Sequence, residues 1–159
     1  MAAQSLEDLY QEEIADLISA NIQMQRLVER MAPKAQDQQL KQLLTNSVSA
    51  IGEHTETLRS LHQGKQETEC RAMAGLVDEA QRHSVDADLP DRLRDVAMIA
   101  HFQRMSHYGI SGFGTAAAYA QALGRTDDGT KLKAIVSNIY SADEYTTRLA
   151  ESAERAAAK

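Results

Sequence analysis

Residues 97 to 124, AMIAHFQRMSHYGISGFGTAAAYAQALG, run without a proline, are apolar around most of a helical circumference and end at Gly124. A helix that is apolar on nearly all sides has to be covered by other helices. This stretch therefore predicts the central member of a bundle. The chain of 159 residues is 43 % hydrophobic but only 4 % aromatic, with no tryptophan and two prolines. A composition rich in Ala, Leu, Gln and Glu favours helix over strand, and the length suits one domain with a core of ordinary size. The fold class expected is all-α.

The order of the helices follows from caps and spacing. Ser5, followed by Glu7 and Asp8, is placed to cap a first helix over about 5–31, which stops before Pro33. Its inward stripe reads Tyr10, Glu13, Leu17, Ala20, Met24, Leu27 and Met31, with Glu13 the one acid. Asp37 can cap a second helix over about 37–62, whose stripe of Leu40, Leu44, Ser47, Ile51, His54, Leu58 and Leu61 contains a histidine near its middle. A shorter amphipathic run over about 67–84, with Met73, Leu76, Val77 and Ala80 on one side, reads as a connector. Pro90 fits the first turn of a third long helix over about 89–123, and Gly124 is its stop. Thr126 and Asp127 can cap the fourth, over about 127–155, with Leu132, Ile135, Ile139, Ala142, Thr146, Leu149 and Ala153 inward. Two hairpins of long helices joined by a longer crossover is the connectivity of a ferritin-like four-helix bundle.

Charge and cysteine content narrow the function classes. The net charge is −6 and acids and bases are mixed along the chain, without the Lys/Arg block that would track a phosphate backbone. No nucleic-acid partner is expected. The acidic start MAAQSLEDLYQEEIADL lacks the layout of a secretory signal, and no apolar run reaches the roughly 18 residues of a membrane span. Cys70 is the single cysteine, which excludes an internal disulfide and suits a reducing compartment. A cytoplasmic protein with no membrane partner is the expectation. No Gly-rich phosphate loop or nucleophile elbow is present.

Several short pieces carry a resemblance. Leu9-Tyr10-x-x-Glu13, the run Cys70-Arg-Ala-Met73-Ala-Gly75-Leu76, Gln103 followed by His107-Tyr108 and Gly114-Thr115, and Asp143-Glu144 followed by Leu149-Ala150 stand in that order over residues 5 to 152. Together they resemble the YciE/YciF-like family of ferritin-like bacterial stress proteins. The resemblance implies a four-helix ferritin-like fold, often dimeric, with a pair of metal ions held by inward carboxylates. A homodimer is expected on the same ground.

A di-iron or di-manganese site in a bundle needs a Glu on each of two helices and a Glu-x-x-His pair on each of the other two. Against the pattern the resemblance implies, Glu13 is retained and His54 is present. Ala50 and Ile51 stand where Glu-Thr is expected, Ser106-His107-Tyr108-Gly109 replaces Glu-His-Tyr-Glu, and Asn138-Ile139-Tyr140 replaces Glu-Glu-Lys. Two protein ligands do not hold two divalent ions in an apolar core. The reading is therefore a non-catalytic, stress-associated protein with a degenerate di-metal site whose remnant ligands are Glu13 and His54, and no cofactor is expected.

Three other readings stay open. A surviving di-iron or di-manganese site, or a rebuilt mononuclear site drawing on Glu13, Glu53, His54, His107 and Glu144 with zinc, iron or manganese as occupant, would make the chain a metal-binding oxidoreductase or iron-handling protein. Glu13 and His54 would otherwise form a buried hydrogen-bonded pair, weakened in acid when the glutamate is protonated. A binding module could use the side of the third long helix bearing Gly109, Gly112 and Gly114, although close helix packing accounts for the same glycines. If Gly109 fills the place of a lost Glu, it leaves room for a small cavity there. His62, His83 and His101 are expected at the surface, Cys70 in a structural role, and Met24, Met31, Met73, Met98 and Met105 in the core.

Overall fold

The computed structural model describes residues 2–64 and 68–159. Five α-helices account for most of them: α1 (Leu6–Met31), α2 (Gln38–Leu61), α3 (Arg71–Ala80), α4 (Asp91–Ala122) and α5 (Thr126–Ala157). A 3-10 turn at Ala32–Lys34 follows α1, a π-helical turn at Gln81–Val85 follows α3, and no strand occurs among the described residues. The hairpins α1/α2 and α4/α5 are joined by the crossover that carries α3, the connectivity of a ferritin-like bundle.

Local chemistry sets the helix ends. The Ser5 hydroxyl accepts the Asp8 amide at 3.1 Å and the Asp37 carboxylate accepts the Leu40 amide at 2.9 Å, so an orphan amide is satisfied at each start by the expected side chain. Gly124 has φ +74°, a left-handed conformation that costs little without a Cβ, and beyond it the Arg125 amide donates back to the Ala120 carbonyl at 2.8 Å. The fourth long helix starts differently from its expected cap. Thr126 is already helical and Arg125 holds the cap position without capping it. Its guanidinium instead pairs with Glu7 at 2.7 Å and with Asp128 at 3.5 Å, and lies 5.3 Å from the centre of the Tyr10 ring.

The connector expected over about 67–84 begins at Arg71 because Cys70 caps it, its Sγ accepting the Met73 amide at 3.4 Å. The expected first residue, 67, lies outside the described residues. Cys70 also anchors the crossover. Its amide donates to Ser19 Oγ at 3.0 Å, its carbonyl accepts Gln23 Nε2 at 3.1 Å, and its Sγ is 3.1 Å from the Tyr108 hydroxyl. Tyr108 in turn donates to Asp16 at 2.5 Å. These contacts give the Cys-x-Ala-Met piece and the Tyr after His107 a physical reason: they lock α3 against α1 and α4.

The predicted stripes point inward. On α1 every stripe residue except Glu13 is buried, and on α2 all seven are, His54 included. The five methionines expected in the core are each at most 7 % exposed. Buried apolar side chains form two clusters, one around Met24, Leu27, Leu44, Met98 and Phe102 and the other around Tyr10, Ile14, Leu58, Phe113 and Leu132. α4 packs against α1, α3 and α5, as an all-round apolar helix must. Close approach to α1 depends on Gly112, where a Cβ would stand 2.6 Å from Leu17 Cδ2 and 3.1 Å from Glu13 Oε1.

His101, expected at the surface, is instead buried, stacked on His83 with ring centroids 6.5 Å apart. The π-helical turn that carries His83 packs over α4 and covers it. Asp95 is a buried carboxylate that sequence reasoning missed. It accepts the amides of Gln36 and Asp37 at 3.0 and 2.9 Å and so fastens the α1–α2 loop to α4. Replacing Asp95 with Leu leaves both amides without that acceptor. The expected loss is about 1–3 kcal/mol in urea unfolding; a loss below about 0.5 kcal/mol, the size of an ordinary surface substitution, would show that the loop is held by other contacts.

Candidate functional site

A cavity of about 210 Å³ lies in the middle of the bundle and touches both buried clusters. Leu17, Ala20, Asn21 and Met24 of α1 line it, with Ser47, Ala50, Ile51 and His54 of α2. Phe102, Met105, Ser106 and Gly109 of α4, Asn138, Ile139 and Ala142 of α5, and Met73 and Tyr108 close it. Asn138 is exposed and marks the rim. The i, i+3 and i+4 spacing on each helix brings one turn's neighbours onto the same wall, so four helices converge on one space.

The lining has a pattern. Ala50 and Ile51, Ser106 and Gly109, and Asn138 and Ile139, six of the seven positions that depart from the pattern the resemblance implies, border this one cavity, while the seventh, Tyr140, is exposed. A Cβ on Gly109 would meet Ile139 Cδ1 at 3.5 Å, an ordinary contact, so packing does not require glycine there. A cavity is present beside Gly109. Gly112 is the residue used for helix contact, and a Cβ on Gly114 would meet nothing within 4 Å.

Of the five sequence-derived candidates, His54 alone lines the cavity. Its ring meets Phe113 edge-on, with centroids 6.1 Å apart. Glu13, half-buried, faces Gly112 on α4. Glu53 is exposed on the outer side of α2. His107 is exposed and reaches Asp143 at 2.9 Å, where Gln103 also donates to Asp143 at 3.2 Å across the α4–α5 face. Glu144 is exposed beside Arg148 at 3.5 Å. Among the described residues no three His, Cys, Asp or Glu side chains gather in a way that could hold a metal ion. The donor set around the cavity, one imidazole with amide and hydroxyl groups, is not the cluster of hard carboxylates that a pair of divalent cations requires.

Glu13 and His54 do not form the hydrogen-bonded pair that their stripes suggested. An ion pair would lower the acid's pKa and raise the imidazole's. The reverse holds here. Burial pushes the Glu13 carboxyl up, with the Asp16 carboxylate adding to the rise. Burial pulls the His54 imidazole down, only partly opposed by Glu53. The physical reason is rotational: α1 turns Glu13 towards α4 while α2 turns His54 towards the cavity.

Burial also raises the Cys70 thiol and the Tyr108 hydroxyl, and Tyr10 is pushed up to about 12 by burial and by the neighbouring Asp128. Cys70 is 1 % exposed and keeps its structural role. Asn21 is the residue that sequence reasoning missed. It borders the cavity and is 7 % exposed, yet its Nδ2 has no hydrogen-bond partner. A signal existed, since Asn21 lies four residues after Leu17 and three before Met24 and shares their face.

The family model described as Domain of unknown function (DUF892) matches residues 5–159. Protein YciF of Escherichia coli (strain K12) is 26 % identical over 155 residues, covering 94 % of this chain and 93 % of that protein. The crystal structure of the E. coli stress protein YciF superposes with a TM-score of 0.90 at 25 % identity, covering 96 % of this chain and 99 % of that one. YcfI of Rhodopseudomonas palustris superposes with a TM-score of 0.83 at 26 % identity, covering 91 % and 94 %.

The two shifted groups give opposite pH signatures. Between its lowered folded value and 6.5, His54 binds more protons in the unfolded chain, so its contribution falls as pH drops below 6.5. Between 4.5 and its raised folded value, Glu13 binds more protons in the folded chain, so its contribution rises as pH falls towards 4.5. Thermal melts of the wild type against His54→Gln and Glu13→Gln over this range separate the two. The wild type is expected to lose ground to His54→Gln in acid and gain ground on Glu13→Gln; the opposite signs would restore the hydrogen-bonded pair.

Proposed function

Because the chain belongs to the DUF892 family, we propose that it is a non-catalytic, stress-associated helical protein whose ferritin-like bundle has a degenerate di-metal position. One observation carries this reading: six of the seven positions that depart from the pattern the resemblance implies border a single cavity, and where that pattern has carboxylates they offer it alkyl, hydroxyl and amide groups. A divalent ion there would lose its hydration without the negative charge that offsets the loss. The stress association comes from the relative named as a stress protein, which matches nearly the whole chain.

A second reading has specific support. Glu13 and His54 are retained at positions that the resemblance assigns to ligands, and a metal-dependent oxidoreductase or iron-handling protein would use them with iron, manganese or zinc. We propose cytoplasmic residence, a homodimer, and no nucleic-acid or membrane partner; no helix of the described residues is long and apolar enough to cross a membrane. Leu9, Leu93 and Tyr140 are the large apolar side chains exposed on the single chain among the described residues.

Elemental analysis of tag-free protein, before and after incubation with Fe(II), Mn(II) and Zn(II), decides between the readings. The expected result is a negligible metal content per chain, unchanged in Glu13→Ala. Two equivalents lost in Glu13→Ala would establish the metalloprotein instead, and one equivalent would point to a rebuilt mononuclear centre. Sedimentation of the same preparation is expected to give a dimer, and a monomer at all concentrations would remove the homodimer.

A further inference from the structure

We propose that the central cavity is a binding site for a neutral, ring-sized apolar molecule that carries one hydrogen-bonding carbonyl or hydroxyl group. The inference rests on the degenerate di-metal reading, because ions in this space would leave no room for such a molecule.

Size comes first. An apolar cavity of roughly 150 Å³ stays dry and takes up a benzene-sized guest, so about 210 Å³ suits a single ring with a short substituent. The walls choose the polarity. No Asp, Glu, Lys or Arg borders the cavity, and its surface is mostly apolar, with Leu17, Met24, Ile51, Phe102, Met105 and Ile139 among the walls. A charged guest would be desolvated with nothing to compensate it. The methionines can adjust to the outline of a ring, since their unbranched side chains fill irregular gaps.

Asn21 is one of the polar residues on this wall. Its side chain is more than nine-tenths buried, it borders the cavity, and its amide nitrogen is unpartnered within the protein. Buried polar groups are nearly always satisfied, and the Ser106 hydroxyl and His54 imidazole, on residues 6 % and 9 % exposed, border the same cavity, so its wall offers a few polar groups to one oxygen on a guest. The combination of apolar walls with very few placed polar groups is that of small-molecule sites. Ser47 does not compete for that role, because its hydroxyl is already committed to the Leu43 carbonyl at 2.8 Å. Entry is at the rim, where Asn138 is exposed between the hairpins.

Three probes of similar shape test the proposal on full-length protein whose metal content has been measured. Acetophenone has a ring and one acceptor, ethylbenzene keeps the shape without the oxygen, and benzoate adds a charge. Calorimetric titration of metal-free protein is expected to show one saturable site for acetophenone, binding roughly tenfold weaker for ethylbenzene, and none for benzoate. Asn21→Leu combined with Ser106→Ala should erase the preference for acetophenone over ethylbenzene. Gly109→Leu should abolish binding of both while the melting temperature is held or raised, since Leu is the better helix former.

No saturable binding of either neutral probe to metal-free wild type would overturn the proposal, as would binding that survives Gly109→Leu in a folded protein. Equal affinity for acetophenone and ethylbenzene would remove the role given to the polar groups of the wall. Protein that carries metal in this space and excludes the probes would instead overturn the non-catalytic reading, and the apolar binding site with it.

Discussion

The burial of α4 is the constraint on which the rest of the molecule depends. This helix of 32 residues has buried side chains on several faces, from Met98 and Phe102 through Phe113 to Ala120. It can exist in water only if other helices cover it. α1 covers it closely at Gly112, α5 returns along it after the left-handed turn at Gly124, and α3 with its π-helical turn closes the side that would otherwise leave His101 in solvent. The loops have to follow. Asp95 on α4 holds the α1–α2 loop by two backbone amides, and Cys70, Tyr108 and Asp16 tie the crossover to the same helix.

The centre of the bundle is organised by what is missing from that close packing. A four-helix core with inward carboxylates is stable when cations neutralise them, since buried charge without a partner is costly. An apolar core needs no cations, but side chains shorter than Glu leave space. At Ala50, Ser106 and Gly109 the chain has small groups where longer ones would reach the axis, and Ile139 only partly refills the volume. The cavity and the absence of acidic and basic side chains from its walls are two consequences of the same small and apolar residues. They explain why His54, surrounded by Phe113 and other apolar groups, is held towards its neutral form.

Glu13 shows how a residue can persist beside such a centre without belonging to it. Its carboxyl lies against the backbone of α4 at Gly112, half in solvent, and its raised pKa comes from burial and from Asp16. That position lets the acid remain without a cation. The same geometry separates it from His54, so the two inward polar residues most visible in the stripes act independently.

Much of the fold was determined by the sequence itself. Apolar spacing of three and four residues, Ser5 and Asp37 as caps, and Gly124 as a stop are local chemistry, and each acts within one helical turn. They place the four long helices, the crossover and the inward faces. Tertiary structure decided which faces meet. Periodicity fixes the direction of a side chain relative to its own helix axis, but the rotation of one helix against another is set by how bulky and small residues interlock. For that reason the shared cavity of Ala50, Ile51, Ser106, Gly109, Asn138 and Ile139 was only hinted at by Gly109, and the divergence of Glu13 from His54, the cover over His101 and the buried Asp95 carboxylate were not visible. The unpartnered amide of Asn21 belongs to the same class, because whether a polar group is satisfied depends on neighbours that are distant in the chain.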